Sequence, residues 1–83
     1  MVTDVDICAE MELLIVESIP GSRVKVSGSA GHFRVAVWSE VFRGKSTLAQ
    51  HRIVYKAIAP LMSGATPPVH AIDYLETNDL VTA

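Results

Sequence analysis

Apolar residues recur at helical spacing in two stretches of this chain and at alternate positions in the stretch between them, and clusters of Gly, Pro and Ser separate the regimes. That change of period limits the elements the chain can form. A 3.6-residue repeat lines one face of a helix, and a two-residue repeat lines one face of a strand. In the first stretch Ile7, Cys8, Met11, Leu14, Ile15, Ser18 and Ile19 share a face, with Glu10 and Glu17 away from it. Thr3 is a suitable N-cap, and Asp4 and Asp6 suit the positive end of a helix. Pro20-Gly21-Ser22 stops it. Val24 and Val26 then alternate with Arg23, Lys25 and Ser27, predicting a strand over Arg23–Ser27. Phe33, Val35 and Val37 predict a second over His32–Trp38. The short Gly28-Ser29-Ala30-Gly31 linker makes the two an antiparallel hairpin.

A turn at Phe42-Arg43-Gly44-Lys45 leads to Ser46, the expected N-cap of a second helix running through about Ala59. Ile53, Val54, Ala57 and Ile58 form its apolar stripe, and Leu48 adds an apolar group near its start. Pro60 limits it, and Ser63 to Pro68 cannot continue a helix. A third strand is predicted over Val69–Leu75, with His70, Ile72 and Tyr74 on its core-facing side, followed by a short polar tail over Glu76–Ala83. The expected fold is α+β, in αββαβ order: a three-stranded sheet with helices packed on one face, forming a single domain over 1–83.

With 83 residues there is room for one modest core and little interior for a large substrate cavity. Cys8 is the only cysteine, so no internal disulfide forms, and its place on the edge of an apolar face favours a small core residue over a reactive thiol. Acids stand where a secretory signal would carry a basic flank, and no apolar run reaches the ~18 residues of a membrane span, so a cytoplasmic protein without membrane contact is expected. The net charge of −2 conceals an asymmetry. Arg23, Lys25, Arg34, Arg43, Lys45, Arg52 and Lys56 are the seven cations, opposed in that block only by Glu40, a local charge of +6. Such a block forms either a basic face for an acidic partner or one half of a dipolar surface.

No catalytic constellation stands out, and an enzyme is not expected. Gly44-Lys45-Ser46 resembles the end of a phosphate-binding loop, but Ser39 occupies the position of its first glycine. Gly28 to Gly31 spells GxxG, the sequence that joins two helices in KH domains, yet here it links two predicted strands. One cysteine and three scattered histidines lack any zinc-site spacing. His51 lies mid-helix, where a half-buried structural role is expected. His32 starts the second strand, as a rim ligand or a solvated turn residue. His70 opens the third strand at the edge of the sheet, placed either to meet a metal held with a partner or to serve a structural role. The stretch from Phe42 to Ile72, with its turn, basic helix, loop and histidine, reads as a binding surface.

The segments Val26-Ser27-Gly28, Gly31-His32-Phe33-Arg34-Val35, Ser39-Glu40-x-Phe42-x-Gly44-x-Ser46, Gln50-His51-Arg52-x-Val54-Tyr55 and Val69-His70-Ala71-Ile72 together resemble the BolA family over roughly residues 22–75. The short GHF hairpin is most similar to its bacterial acid-stress branch. The resemblance implies a class II KH-like fold, and pairing with a monothiol glutaredoxin to share a glutathione-ligated [2Fe–2S] cluster in iron–sulfur trafficking, iron homeostasis and stress response. It assigns the family's cluster histidine to His70. Where many members carry a loop Cys this chain has Ser29, which leaves His32 as the nearest second ligand. Arg34, Arg52 and Lys56, with Arg43 and Lys45 of the same basic block, are candidates for partner or nucleic-acid binding. The alternative function implied is a KH-like DNA-binding transcriptional regulator.

Overall fold

The computed structural model describes residues 3–80, in the order α1 (Asp4–Ser18), β1 (Arg23–Ser29), β2 (His32–Trp38), a 3₁₀ turn (Glu40–Phe42), α2 (Thr47–Met62) and β3 (Ala71–Asn78). The αββαβ order is the expected one. Helix α1 opens on a reciprocal capping box. Thr3 Oγ1 accepts from the Asp6 N–H at 3.2 Å, and Asp6 Oδ2 accepts from the Thr3 N–H at 3.0 Å. Ser46 caps α2 through the Ala49 N–H at 3.2 Å.

Helix α2 runs three residues past the predicted end, through Pro60. Proline at position 60 removes the bond to the Lys56 carbonyl. Both residues are exposed, where a carbonyl without a helical partner costs less than it would in the core, and the last turn is retained. Ser63 Oγ then donates to the Ala59 carbonyl at 3.0 Å.

The strands lie in the order β1-β2-β3, with β1 antiparallel and β3 parallel to β2. Strand β1 extends two residues beyond the predicted end, leaving only Ala30 and Gly31 to turn the hairpin. Both have positive φ, 54° and 82°, the signature of a type I′ turn whose twist matches that of the strands. The Ala30 N–H at this tip donates to Asp4 Oδ1 at 3.2 Å, tying the hairpin to the start of α1.

Strand β3 begins two residues later and ends three residues beyond the prediction, because pairing with β2 continues as far as Trp38↔Asn78. Thus Glu76 to Asn78, expected in the tail, are strand; Val81 to Ala83 lie outside the described residues. A register shift between Phe33 and Arg34 leaves Asp73 without a partner on β2. This bulge reverses the alternation. Ile72 remains at the core margin and Leu75 joins it, whereas Tyr74, expected to face the core, is 55% exposed.

Phe33, Val35 and Val37 of β2 form the sheet's contribution to the core. They meet Ile7, Met11 and Ile15 of α1 and Val54, Ala57, Ile58 and Leu61 of α2, so the helices cover one face as expected. Leu48, expected to add to the stripe of α2, is exposed, as is Ser18 of α1. On the other face, cross-strand rows run Ser27–Arg34–Tyr74, Lys25–Ala36–Glu76 and Arg23–Trp38–Asn78. Among the described residues no helix is long and apolar enough to cross a membrane.

Candidate functional site

Two histidines lie towards one end of the sheet, His32 at the start of β2 and His70 just before β3, and backbone pairing sets each in place. The Gly31 carbonyl accepts from the N–H groups of both His70 and Ala71, at 2.8 and 3.0 Å. The residue before His70 is anchored as well, since Val69 is buried and its N–H donates to the Leu61 carbonyl at 3.1 Å. His70 therefore enters β3 with fixed backbone on either side, while its side chain is exposed.

The imidazole rests directly over Gly31. A Cβ on that glycine would overlap the His70 ring, and its φ of 82° already disfavours any side chain. Glycine thus serves the turn and the histidine together.

His32 is the first residue of β2 and pairs across β3 with Ala71, the neighbour of His70. Its Nδ1 lies 3.1 Å from Asp73 Oδ1. The carboxylate can only accept, so Nδ1 carries the proton and Nε2 of the neutral ring keeps its lone pair. Asp73 is the bulged residue of β3, and periodicity gave no sign of this pair because the bulge arises only when β3 meets β2. Both partners are more than half exposed, so the pair orients His32 more than it stabilises the fold.

Two imidazoles with free ring nitrogens are suitable ligands for a soft or borderline metal centre. They do not complete one. Among the described residues no group of three or more His, Cys, Asp or Glu side chains is arranged to hold a metal ion. Ser29, paired with His32 on the hairpin, adds only a hydroxyl. Cys8 is half-buried on α1; burial, then the charges of Glu12 and Asp4, push its thiol above the ordinary value, which disfavours the thiolate a metal requires.

The basic candidates are not gathered into one patch. Arg34 stands on the open face of the sheet, while Arg52 and Lys56 are exposed one turn apart on α2 and Lys45 is exposed in the turn before it. Arg43 is engaged within the chain: its Nε and a terminal nitrogen donate to the two carboxylate oxygens of Asp79 at 2.6 and 3.0 Å. That hydrogen bond and charge push the guanidinium further above its ordinary range. His51 is half-buried on α2. Of the stretch from Phe42 to Ile72, Phe42, Val54, Ala57, Ile58, Leu61 and Val69 are core, and the exposed residues include Arg43, Lys45, Arg52, Lys56 and His70.

One positioning residue is not legible from periodicity. Gln50 donates through Nε2 to the Phe42 and Lys45 carbonyls at 3.1 and 2.9 Å, and its Oε1 accepts from Thr77 Oγ1 at 2.6 Å. The amide clamps the turn before α2 onto β3. Ser39 extends the clamp, its N–H donating to the Asn78 carbonyl at 2.9 Å.

A family model described as BolA-like protein matches residues 14–77. BolA-like protein 1 of Homo sapiens is 43% identical over 61 residues, 74% of this chain and 42% of that protein, and the Mus musculus protein is 41% identical over the same span. The chain thus spans about two fifths of the length of these curated relatives. A bolA protein homologue from Coxiella burnetii superposes with a TM-score of 0.75 at 30% identity, covering 99% of this chain and 96% of that one. The solution structure of BolA1 from Mus musculus gives 0.71 at 27% identity, covering 92% and 67%.

Proposed function

This chain belongs to the BolA-like protein family, and from that premise we propose that it is a non-enzymatic cytoplasmic binding protein that pairs with a monothiol glutaredoxin to hold or pass on a [2Fe–2S] cluster. The observation that carries the reading is His70: an exposed imidazole at the mouth of β3, with its N–H fixed to the Gly31 carbonyl and its ring seated on Gly31. His70 is the principal ligand and His32 the second candidate, oriented by Asp73. A cluster sharing its irons between cysteine-type ligands and imidazole has a raised potential and pH-dependent binding, which suits transfer.

The chain's own part is to present a neutral imidazole at a rigid site. Ordered backbone around Val69, His70 and Ala71 removes the entropy cost of arranging the ligand at the moment of docking. The remaining ligands come from glutaredoxin and glutathione. Lys45, Arg52 and Lys56 are exposed cations available for glutathione carboxylates or an acidic partner face.

The direct test is co-expression with a monothiol glutaredoxin, which should yield a coloured complex. His70→Ala should bleach it or shift its visible bands, and His32→Ala should do so to a smaller extent. An unchanged spectrum in the His70 variant removes the ligand assignment. The reading as a regulator of duplex DNA has less support: the GxxG run turns a β-hairpin, and the seven cations divide between the open sheet face and the segment around α2.

A further inference from the structure

The open face of the sheet carries features that the histidine site does not use. Trp38 lies on β2 and the exposed Tyr74 on β3, whereas both phenylalanines of the chain are buried. Arg23, Lys25 and Arg34 are exposed around these rings, and no ion pair among the described residues engages them.

Two shallow recesses lie side by side on this face. One, of about 380 Å³, is lined by Arg23, Val24, Lys25 and Trp38. The other, of about 190 Å³, includes Lys25, Arg34, Ala36 and Tyr74. Each holds one aromatic ring, and Lys25 belongs to both. The rings stand two cross-strand rows apart, with the small Ala36 in the row between them, and each row advances about 6.6 Å along the strands.

We infer that this face binds single-stranded RNA, with one base stacking on Trp38, a non-adjacent base on Tyr74, and Lys25 meeting a phosphate of the linkage between them. Alternating flat and cationic groups fit a strand whose bases are unstacked, since every base offers a π-face and every linkage an anion. A duplex hides its base faces. An acidic peptide would use the cations but leave two rings without planar partners. Glu76, the single acid of the cross-strand rows, decides between RNA and DNA. Beside Tyr74, whose hydroxyl lies 3.4 Å from it, this carboxylate repels phosphate but accepts from a ribose 2′-hydroxyl, a donor that DNA lacks.

Trp38 is the only tryptophan in the chain, so its emission reports this face directly. Titrating the full chain with octauridylate at ~20 mM salt should quench it saturably, with the effect lost progressively as salt is added. With fluorescently labelled octauridylate, anisotropy should show Tyr74→Ala and Lys25→Glu binding at least about fivefold more weakly, while Tyr74→Phe binds as the parent does. Circular dichroism confirms that these surface variants are folded. Absence of quenching and of anisotropy change at millimolar protein, or undiminished binding by Tyr74→Ala, overturns the proposal. Octathymidylate binding as tightly as octauridylate overturns the choice of RNA, and equal competition by polyglutamate shows a site for acidic peptides instead.

Discussion

At the scale of single residues, Gly31 does the most for the candidate site. Its φ of 82° is needed by the type I′ turn, and the His70 ring fills the space where a side chain would stand. Gly21 has the same φ of 82° with nothing near its missing Cβ, and so provides an internal reference. Gly21→Ala should cost the left-handed strain alone, about 1 kcal/mol. Gly31→Ala should cost about 2–3 kcal/mol, strain plus displacement of the ring, lowering the melting temperature by roughly 10 °C or more. Adding His70→Ala to the Gly31 variant should bring its cost back towards that of Gly21→Ala. If thermal unfolding shows equal losses for the two glycines, the ring is not held as described.

At the scale of elements, the hydrogen bonds of Gln50 join the turn at Phe42–Lys45, helix α2 and strand β3. These elements are distant in sequence, and α2 leads into the loop that delivers His70. Gln50→Ala leaves two carbonyls and the Thr77 hydroxyl without this partner, an expected loss of about 2 kcal/mol. Thr77→Val should cost about 1 kcal/mol. Because the two share a bond of 2.6 Å, their double variant should fall short of the sum by at least about 0.5 kcal/mol in denaturant unfolding. Strict additivity would mean that the clamp does not couple α2 to β3. The bulge at Asp73 acts at the same scale: one unpaired residue sends Tyr74 outward and sets a carboxylate beside His32.

At the scale of the whole molecule, stability is concentrated on one face of the sheet. At ~0.05–0.15 kcal/mol per residue, a folded chain of 83 residues holds roughly 4–12 kcal/mol in total. Phe33 is 1% exposed at the centre of the layer between sheet and helices, so Phe33→Ala should cost about 3–5 kcal/mol and leave the domain close to unfolding. Tyr74, opposite the neighbouring position of β2 but on the outer face, should lose less than about 1 kcal/mol on truncation. Chemical denaturation of the two variants measures this difference. Similar losses would mean that the outer face is packed against something and is not an open surface.

The order of elements, the caps at Thr3 and Ser46, the hairpin and the inward set Phe33, Val35 and Val37 are all written in the chain itself. Each depends on a local rule: a side-chain period, a short capping hydroxyl, or a residue tolerant of positive φ. The glycines of the hairpin were legible for the same reason, whereas His70 was singled out by the family resemblance and lies exposed just before β3. It takes the folded pairing of distant segments to run β3 parallel to β2 as far as Asn78, turn Tyr74 outward, bring Gln50 to Thr77 and set Asp73 beside His32. These are properties of pairs of segments. Register and bulges depend on which residues of one strand meet which of another, and a periodic pattern within a single segment does not contain that choice.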